Sequence, residues 1–209
     1  MRWFVSTAWH SSWLYILCPI LKVSSPTLKS PPTKGRYTLD GASGNDILVG
    51  GAGDDKLIGG IGNDTVSYAI DTAGINVSLR LLSGIDGYGD TDIYDTIENI
   101  LGSSHDDIIE GNATNNTLDG GAGIDTISFE NAVAGVTVDL SITTAQSTGN
   151  DGTDKIVNFE NLTGTNQIDN LTGDANTNII NGLNGNDIID GAGGVDSLYG
   201  YGIRTGNCN

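Results

Sequence analysis

Residues 41–67 read GASGNDILVGGAGDDKLIGGIGNDTVS, one nine-residue phrase given three times with no slack between copies. With Gly41 as slot 1, glycine opens each copy, an aspartate fills slot 6 (Asp46, Asp55, Asp64) and an aliphatic residue fills slot 8 (Leu48, Leu57, Val66). Glycines at slots 1, 2 and 4 permit positive φ and close backbone approach, so the first six residues of a copy read as a turn. Slots 7 to 9 remain as a three-residue strand whose side chains alternate between faces, slot 8 inward and its neighbours outward.

The phrase continues beyond this stretch. Further copies start at Gly102, Gly111 and Gly120, then at Gly164, Gly173, Gly182 and Gly191, giving ten copies in three arrays. Slot 6 in these is Asp107, Asn116, Asp125, Asp169, Asn178, Asp187 and Asp196, and slot 8 stays aliphatic throughout. Glycine stands at both slot 2 and slot 4 only in the copies starting at Gly50, Gly59 and Gly120. A longer period overlies the short one. DTVSYAIDTAGINVSL (64–79) returns as DTISFENAVAGVTVDL (125–140), and DTIENILG (95–102) is answered by KIVNFENLTG (155–164).

Such repeats bury their apolar face only by stacking on neighbours, which defines a solenoid. The expected fold is all-β: turn, strand, turn, strand winding as two stacked parallel sheets, with two nonamers per coil. Slot-6 residues of copies n and n+2 then lie on the same side. The organisation reads as a basic leader (1–37), array one (38–67), a β spacer (68–101), array two (102–128), a second β spacer (129–163), array three (164–203) and a tail (204–209). The leader holds Trp3, Trp9, Trp13 and all four prolines, and reads either as a signal or anchor segment or as disordered chain.

Charge narrows the partner. The chain carries 26 acidic and 9 basic side chains, a net charge of −17, and every acid lies at Asp40 or beyond. That body repels nucleic acid and anionic lipid and attracts cations. Slot-6 carboxylates stacked at strand spacing repel one another unless a cation sits between them. Carboxylates with exposed turn carbonyls are hard oxygen ligands, the set that selects calcium. The three slot-8 aliphatics of array one cannot offset the backbone entropy of ordering its turns, so binding and folding are expected as one event.

Catalytic constellations are missing from the sequence: no HExxH, GxSxG, phosphate loop or CxxC. His10 and His105 lie far apart, and Cys18 and Cys208 both fall outside the repeats. No catalysis is expected of this chain, and any catalytic domain would lie outside it. No membrane span is expected either.

GGAGDDKLI, GGIGNDTVS and GGAGIDTIS resemble the nonapeptide of the RTX, or haemolysin-type, calcium-binding repeat family. The resemblance implies a right-handed parallel β-roll holding several calcium ions between stacked turns, in a bacterial protein secreted to calcium-rich extracellular surroundings. Carried onto this chain, it pairs Asp46 with Asp64, helped by carbonyls around Gly44 and Gly62, then Asp107 with Asp125 and Asp169 with Asp187. Asp55, with Gly51 and Gly53, matches the motif but would stack between Tyr37 and Ala73, a half-built site. Asp196 would face the neutral Asn178, while Asn116 and Asn178 make turn hydrogen bonds.

The spacers read as alternating strands, with Ile75, Val77, Leu79 and Leu81 in one and Val136, Val138, Leu140 and Ile142 in the other. Polar loops follow, GIDGYGDTDIYD (84–95) and STGNDGTDK (147–155), in which Asp86, Asp90 and Asp92 read first as solvated acids and second as a further cation site. The functional reading is a calcium-binding module that folds and stiffens outside the cell. A second reading is a carbohydrate-binding or adhesin module accompanying a polysaccharide-active enzyme. It needs an exposed stripe drawn from Tyr68, Tyr88, Tyr94, Arg80 and Lys155.

Overall fold

A computed structural model describes residues 20–22, 27–30 and 33–205. His10, Cys18, Cys208 and most of the leader lie outside them. The described chain is all-β, with no helix. Short strands, mostly of three residues, alternate between two walls as the chain winds. One wall is an eleven-stranded sheet; the other is a seven-stranded sheet followed by a four-stranded one.

Within the arrays the register advances 18 residues per coil. Thr38 pairs with Lys56, Ile47 with Thr65, Ile108 with Thr126 and Ile179 with Ser197, all in parallel. Two strands of the basic N-terminal stretch join the same ladders: Ile20–Lys22 pairs with Thr38–Asp40, and Thr27–Lys29 with Ile47–Val49.

The core is the slot-8 column. Leu48, Leu57, Val66, Ile109, Leu118, Ile127, Leu171, Ile180 and Ile189 are all fully buried, each facing the opposite wall. Slot 9 is less open than simple alternation predicts: Val49, Ser67, Glu110 and Ser128 are buried.

Each spacer widens one coil. In the first, Asn76–Ser78, Ser83–Ile85 and Thr91–Asp95 form an antiparallel meander inserted between Lys56–Ile58 and Ile108–Glu110. In the second, Ala145–Ser147 pairs antiparallel with Thr153–Val157. The loops expected at 84–95 and 147–155 therefore shrink to turns at 86–90 and 148–152 between strands. The alternating runs are correspondingly shorter than expected: Ile75, Val77 and Leu79 are buried but Leu81 is 59% exposed, and Ile142 is likewise exposed after Val136, Val138 and Leu140.

After each spacer a three-residue turn replaces the usual six. Thr96-Ile97-Glu98 and Asn158-Phe159-Glu160 lead into Asn99–Leu101 and Asn161–Thr163, with positive φ at Thr96 (51°) and Asn158 (59°). Ile97, Ile100, Phe159 and Leu162 anchor these entries in the core.

Candidate metal centre

The slot-6 residues stack along the two edges of the roll. Where two copies stand 18 residues apart within an array, the backbone N–H of the first slot 6 donates to the carboxylate of the second: Asp46 to Asp64 Oδ1 (2.8 Å), Asp107 to Asp125 Oδ1 (2.8 Å) and Asp169 to Asp187 Oδ1 (3.1 Å). Asn178 donates likewise to Asp196 Oδ1 (3.0 Å). These are the pairs that the 18-residue coil brings together. At the short turns a longer side chain makes up for the shorter backbone: Asp64 N–H donates to Glu98 Oε2 and Asp125 N–H to Glu160 Oε2, both at 2.8 Å.

Asp55 does not stack on Ala73. Tyr37 N–H donates to its Oδ1 (2.7 Å), as expected, but its own N–H donates to Asp92 Oδ1 (3.0 Å). The meander returns Thr91–Asp95 beside Lys56–Ile58, so the sequence count of nine residues fails at the spacer.

The ten turns divide into two kinds. In the copies starting at Gly41, Gly50, Gly59, Gly120, Gly182 and Gly191, slot 4 is a glycine with positive φ (Gly44 117°, Gly53 121°, Gly123 149°), and slot 2 also has positive φ. In all six, slot-6 Oδ2 is buried without a hydrogen-bond partner: Asp46, Asp55, Asp64, Asp125, Asp187 and Asp196. These are open turns.

The other four have His105, Thr114, Gln167 and Asn176 at slot 4 and a polar slot 2, and none of these residues has positive φ. There the slot-2 N–H turns inward and caps the slot-6 side chain. Ser103 donates to Asp107 Oδ2 (2.6 Å), Asn112 to Asn116 Oδ1 (2.8 Å), Thr165 to Asp169 Oδ2 (2.7 Å) and Asp174 to Asn178 Oδ1 (2.9 Å). The hydroxyls of Ser103 and Thr165 add a second bond each, to Asp107 Oδ1 and Asp169 Oδ1. A polar side chain closing its own turn in this way competes with any external ligand.

Slot-1 glycine is explained by the same side chain. A Cβ on Gly41 would lie 2.8 Å from Asp46 Oδ2 and 2.6 Å from Gly59 O, and one on Gly59 would lie 2.6 Å from Asp64 Oδ2. Thr96 O also borders the space at Gly59, and Asn158 O with Asp125 Oδ2 borders that at Gly120. These three turns therefore offer an unpaired carboxylate oxygen and a main-chain carbonyl to one point. Gly182 and Gly191 face mainly their own carboxylates, Asp187 and Asp196.

Burial leaves these acids in an unfavourable state. Desolvation, opposed by single backbone hydrogen bonds, raises the Asp64 and Asp187 carboxyls and pushes Asp125 up to about 6. Among the described residues no ion pair reaches an open-turn aspartate; Lys34, Arg36, Lys56 and Arg80 pair with Asp90, Asp54, Asp95, Glu110 and Asp151. A buried carboxylate oxygen without donor or cation costs several kcal/mol at the least. Calcium fits this donor set: hard oxygens, unpaired, bordered by carbonyls. No group of three or more His, Cys, Asp or Glu side chains among the described residues is arranged to hold an ion alone, so an ion here would need main-chain carbonyls as well.

The residues of the glycan reading are mostly withdrawn from solvent. Tyr68 and Tyr94 are buried and hydrogen-bonded to each other (2.6 Å), and Arg80 is engaged by Asp151 and Glu110. Tyr88 and Lys155 alone do not make a stripe.

Unpaired carboxylate oxygens repeated along the edges of a parallel β-roll define a calcium-binding roll. The family model described as RTX calcium-binding nonapeptide repeat (4 copies) matches residues 38–68, 94–127 and 163–201. The chain belongs to this family. No curated protein matches it.

Sequence reasoning passed over Glu98 and Glu160, and placed Asp92 in a polar loop rather than beside Asp55. The signal for the two glutamates was present in the matched IEN and FEN triplets at 97–99 and 159–161. The signal for the capped turns was the loss of glycine at slot 4 together with a polar residue at slot 2.

Proposed function

We propose that the chain is a calcium-coupled folding module of a secreted protein, little ordered where calcium is scarce and stiffened on meeting extracellular calcium. One observation carries this reading: six buried Oδ2 atoms without partner, one in each open turn. They make the metal-free roll electrostatically costly, and calcium relieves that cost only in the folded state, so binding free energy becomes folding free energy. Export through a low-calcium cytosol and ordering outside follow from this coupling. The module has no bond chemistry of its own in this reading; the missing catalytic motifs support that. No helix among the described residues is long and apolar enough to cross a membrane.

The test is far-UV circular dichroism of the full chain during calcium titration, with magnesium as control. Cooperative gain of β signal at about 0.1–1 mM calcium, reversed by chelator and blunted by Asp46→Asn with Asp64→Asn, is expected. A β signal already complete in chelator and indifferent to calcium would overturn the reading.

A further inference from the structure

We propose that the first spacer completes a divalent-cation site of its own, of the calcium class, in which Asp92 joins Asp55 across the face of Gly50. The inference rests on the calcium reading above but places a ligand outside the repeat: Asp92 falls between the matched segments 38–68 and 94–127.

The Gly50 turn is unlike the other open turns. Where Gly41, Gly59 and Gly120 face one carboxylate oxygen and one carbonyl, a Cβ on Gly50 would lie 3.0 Å from Asp55 Oδ2 and 3.3 Å from Asp92 Oδ2. Two carboxylates thus border one small space. Asp55 is 1% and Asp92 0% exposed. Their Oδ1 atoms are committed to Tyr37 N–H and Asp55 N–H. Asp92 Oδ2 accepts a weak bond from Tyr68 hydroxyl (3.2 Å), and Asp55 Oδ2 has no partner.

Among the described residues no ion pair compensates the two carboxylates. Lys34 and Arg36, the bases on this edge, are held by Asp90 (2.6 Å) and Asp54 (2.7 Å) at the surface. Asp86 adds to the excess: it is buried, spends Oδ1 on the N–H groups of Tyr88 and Asp90, and leaves Oδ2 unpaired. Burial, reinforced by Asp86, pushes the carboxyls of Asp55 and Asp92 up to about 7 and about 8. A cation or a proton must hold such a pair together, and hard carboxylate oxygens in a calcium-rich medium favour calcium.

The equivalent of Asp92 in the second spacer serves as control. Asp154 lies against a capped turn, accepts Asn116 N–H on Oδ1 (2.8 Å) and Thr148 hydroxyl on Oδ2 (2.7 Å), and has no oxygen to spare.

The experiment measures bound calcium per full-length chain by equilibrium dialysis, with tyrosine-sensitised terbium emission as a local readout, since Tyr68 touches Asp92. Asp92→Asn and Gly50→Ala are expected to lose the same single ion and to lower terbium emission several-fold, while Asp154→Asn matches wild type in both. Gly50→Ala keeps every carboxylate and fills only the space between them, so it guards against a folding defect in the Asp92 variant. Wild-type calcium content and terbium emission in both variants would overturn the site and leave a shared proton in its place. A wild-type chain that binds no calcium at all would instead overturn the proposed function.

Discussion

The two spacers have one plan and opposite chemistry. Positions 77, 84 and 92 of the first correspond to 138, 146 and 154 of the second, on opposite walls of the roll. In the first, Gly84 sits in a strand bonded on both sides, to Val77 and to Asp92, and keeps the sheet continuous. In the second the central residue is Gln146, whose strand pairs on one side only. Its side-chain amide reaches the other side instead, accepting Asp139 N–H on Oε1 (2.9 Å) and donating Nε2 to Asp139 O (2.9 Å). One side chain thus stands in for a peptide unit where the seven-stranded sheet gives way to the four-stranded one.

The buried acids differ in the same sense. The first spacer gathers Asp71, Asp86 and Asp92 around the Tyr68–Tyr94 pair, with Asp71 Oδ1 and Asp86 Oδ2 unpaired. The second has Phe129 and Ile156 where the tyrosines stand, Thr148 at the place of Asp86, and an Asp154 whose oxygens are both satisfied. The spacer loaded with uncompensated charge abuts an open turn; the other, whose one unpartnered carboxylate oxygen, Asp151 Oδ2, belongs to a side chain paired with Arg80, abuts a capped turn. Whether a segment demands metal is decided by the pairing of its oxygens, more than by its number of acids.

The largest effect is expected where the spacers meet. Arg80 of the first pairs with Asp151 of the second and lies 3.7 Å from Glu110, which also accepts Ser78 hydroxyl (2.6 Å). All three charged side chains are at least four-fifths buried. Arg80→Met strands two buried carboxylates and should cost about 3–5 kcal/mol in urea unfolding with calcium saturating. A change under about 0.5 kcal/mol, the range of ordinary surface substitutions, would show that the spacers do not support each other.

A smaller effect sharpens the contrast of sheet closure. Gln146→Ala leaves the N–H of Asp139 unpaired and its carbonyl with the Ile142 N–H alone, and should cost about 1–3 kcal/mol. Gly84→Ala should cost a similar amount for the opposite reason, because its Cβ would press on Val77 and lie 2.7 Å from Tyr94 hydroxyl. Urea midpoints of both variants check this. Indifference to Gln146→Ala would mean that the break between the two sheets is simply open.

Much of this was legible in the sequence because the nonamer binds local geometry to topology. Slot 8 named the core column, and the 18-residue coil named the partners Asp46 with Asp64, Asp107 with Asp125 and Asp169 with Asp187. What escaped depended on side chains acting across unequal spacings. The count of nine placed Ala73 beside Asp55, whereas an antiparallel meander delivers Asp92. Glu98 and Glu160 took up slot-6 duty from three-residue turns, which no nine-residue frame contains. Asp107 and Asp169 look equivalent to Asp46 in sequence, yet Ser103 and Thr165 at slot 2 close their turns. Backbone sign at slot 4 separates the two kinds, and glycine there is its visible trace.

That separation is the central claim, and anomalous diffraction from calcium-loaded crystals tests it most directly. Anomalous peaks are predicted beside Asp46, Asp64, Asp125 and the Asp55–Asp92 pair, with the weaker ones at Asp187 and Asp196, and none within coordinating distance of the capped side chains of Asn116 and Asn178 or of the Ser103 and Thr165 turns. Ions bound equally at capped and open turns would contradict it.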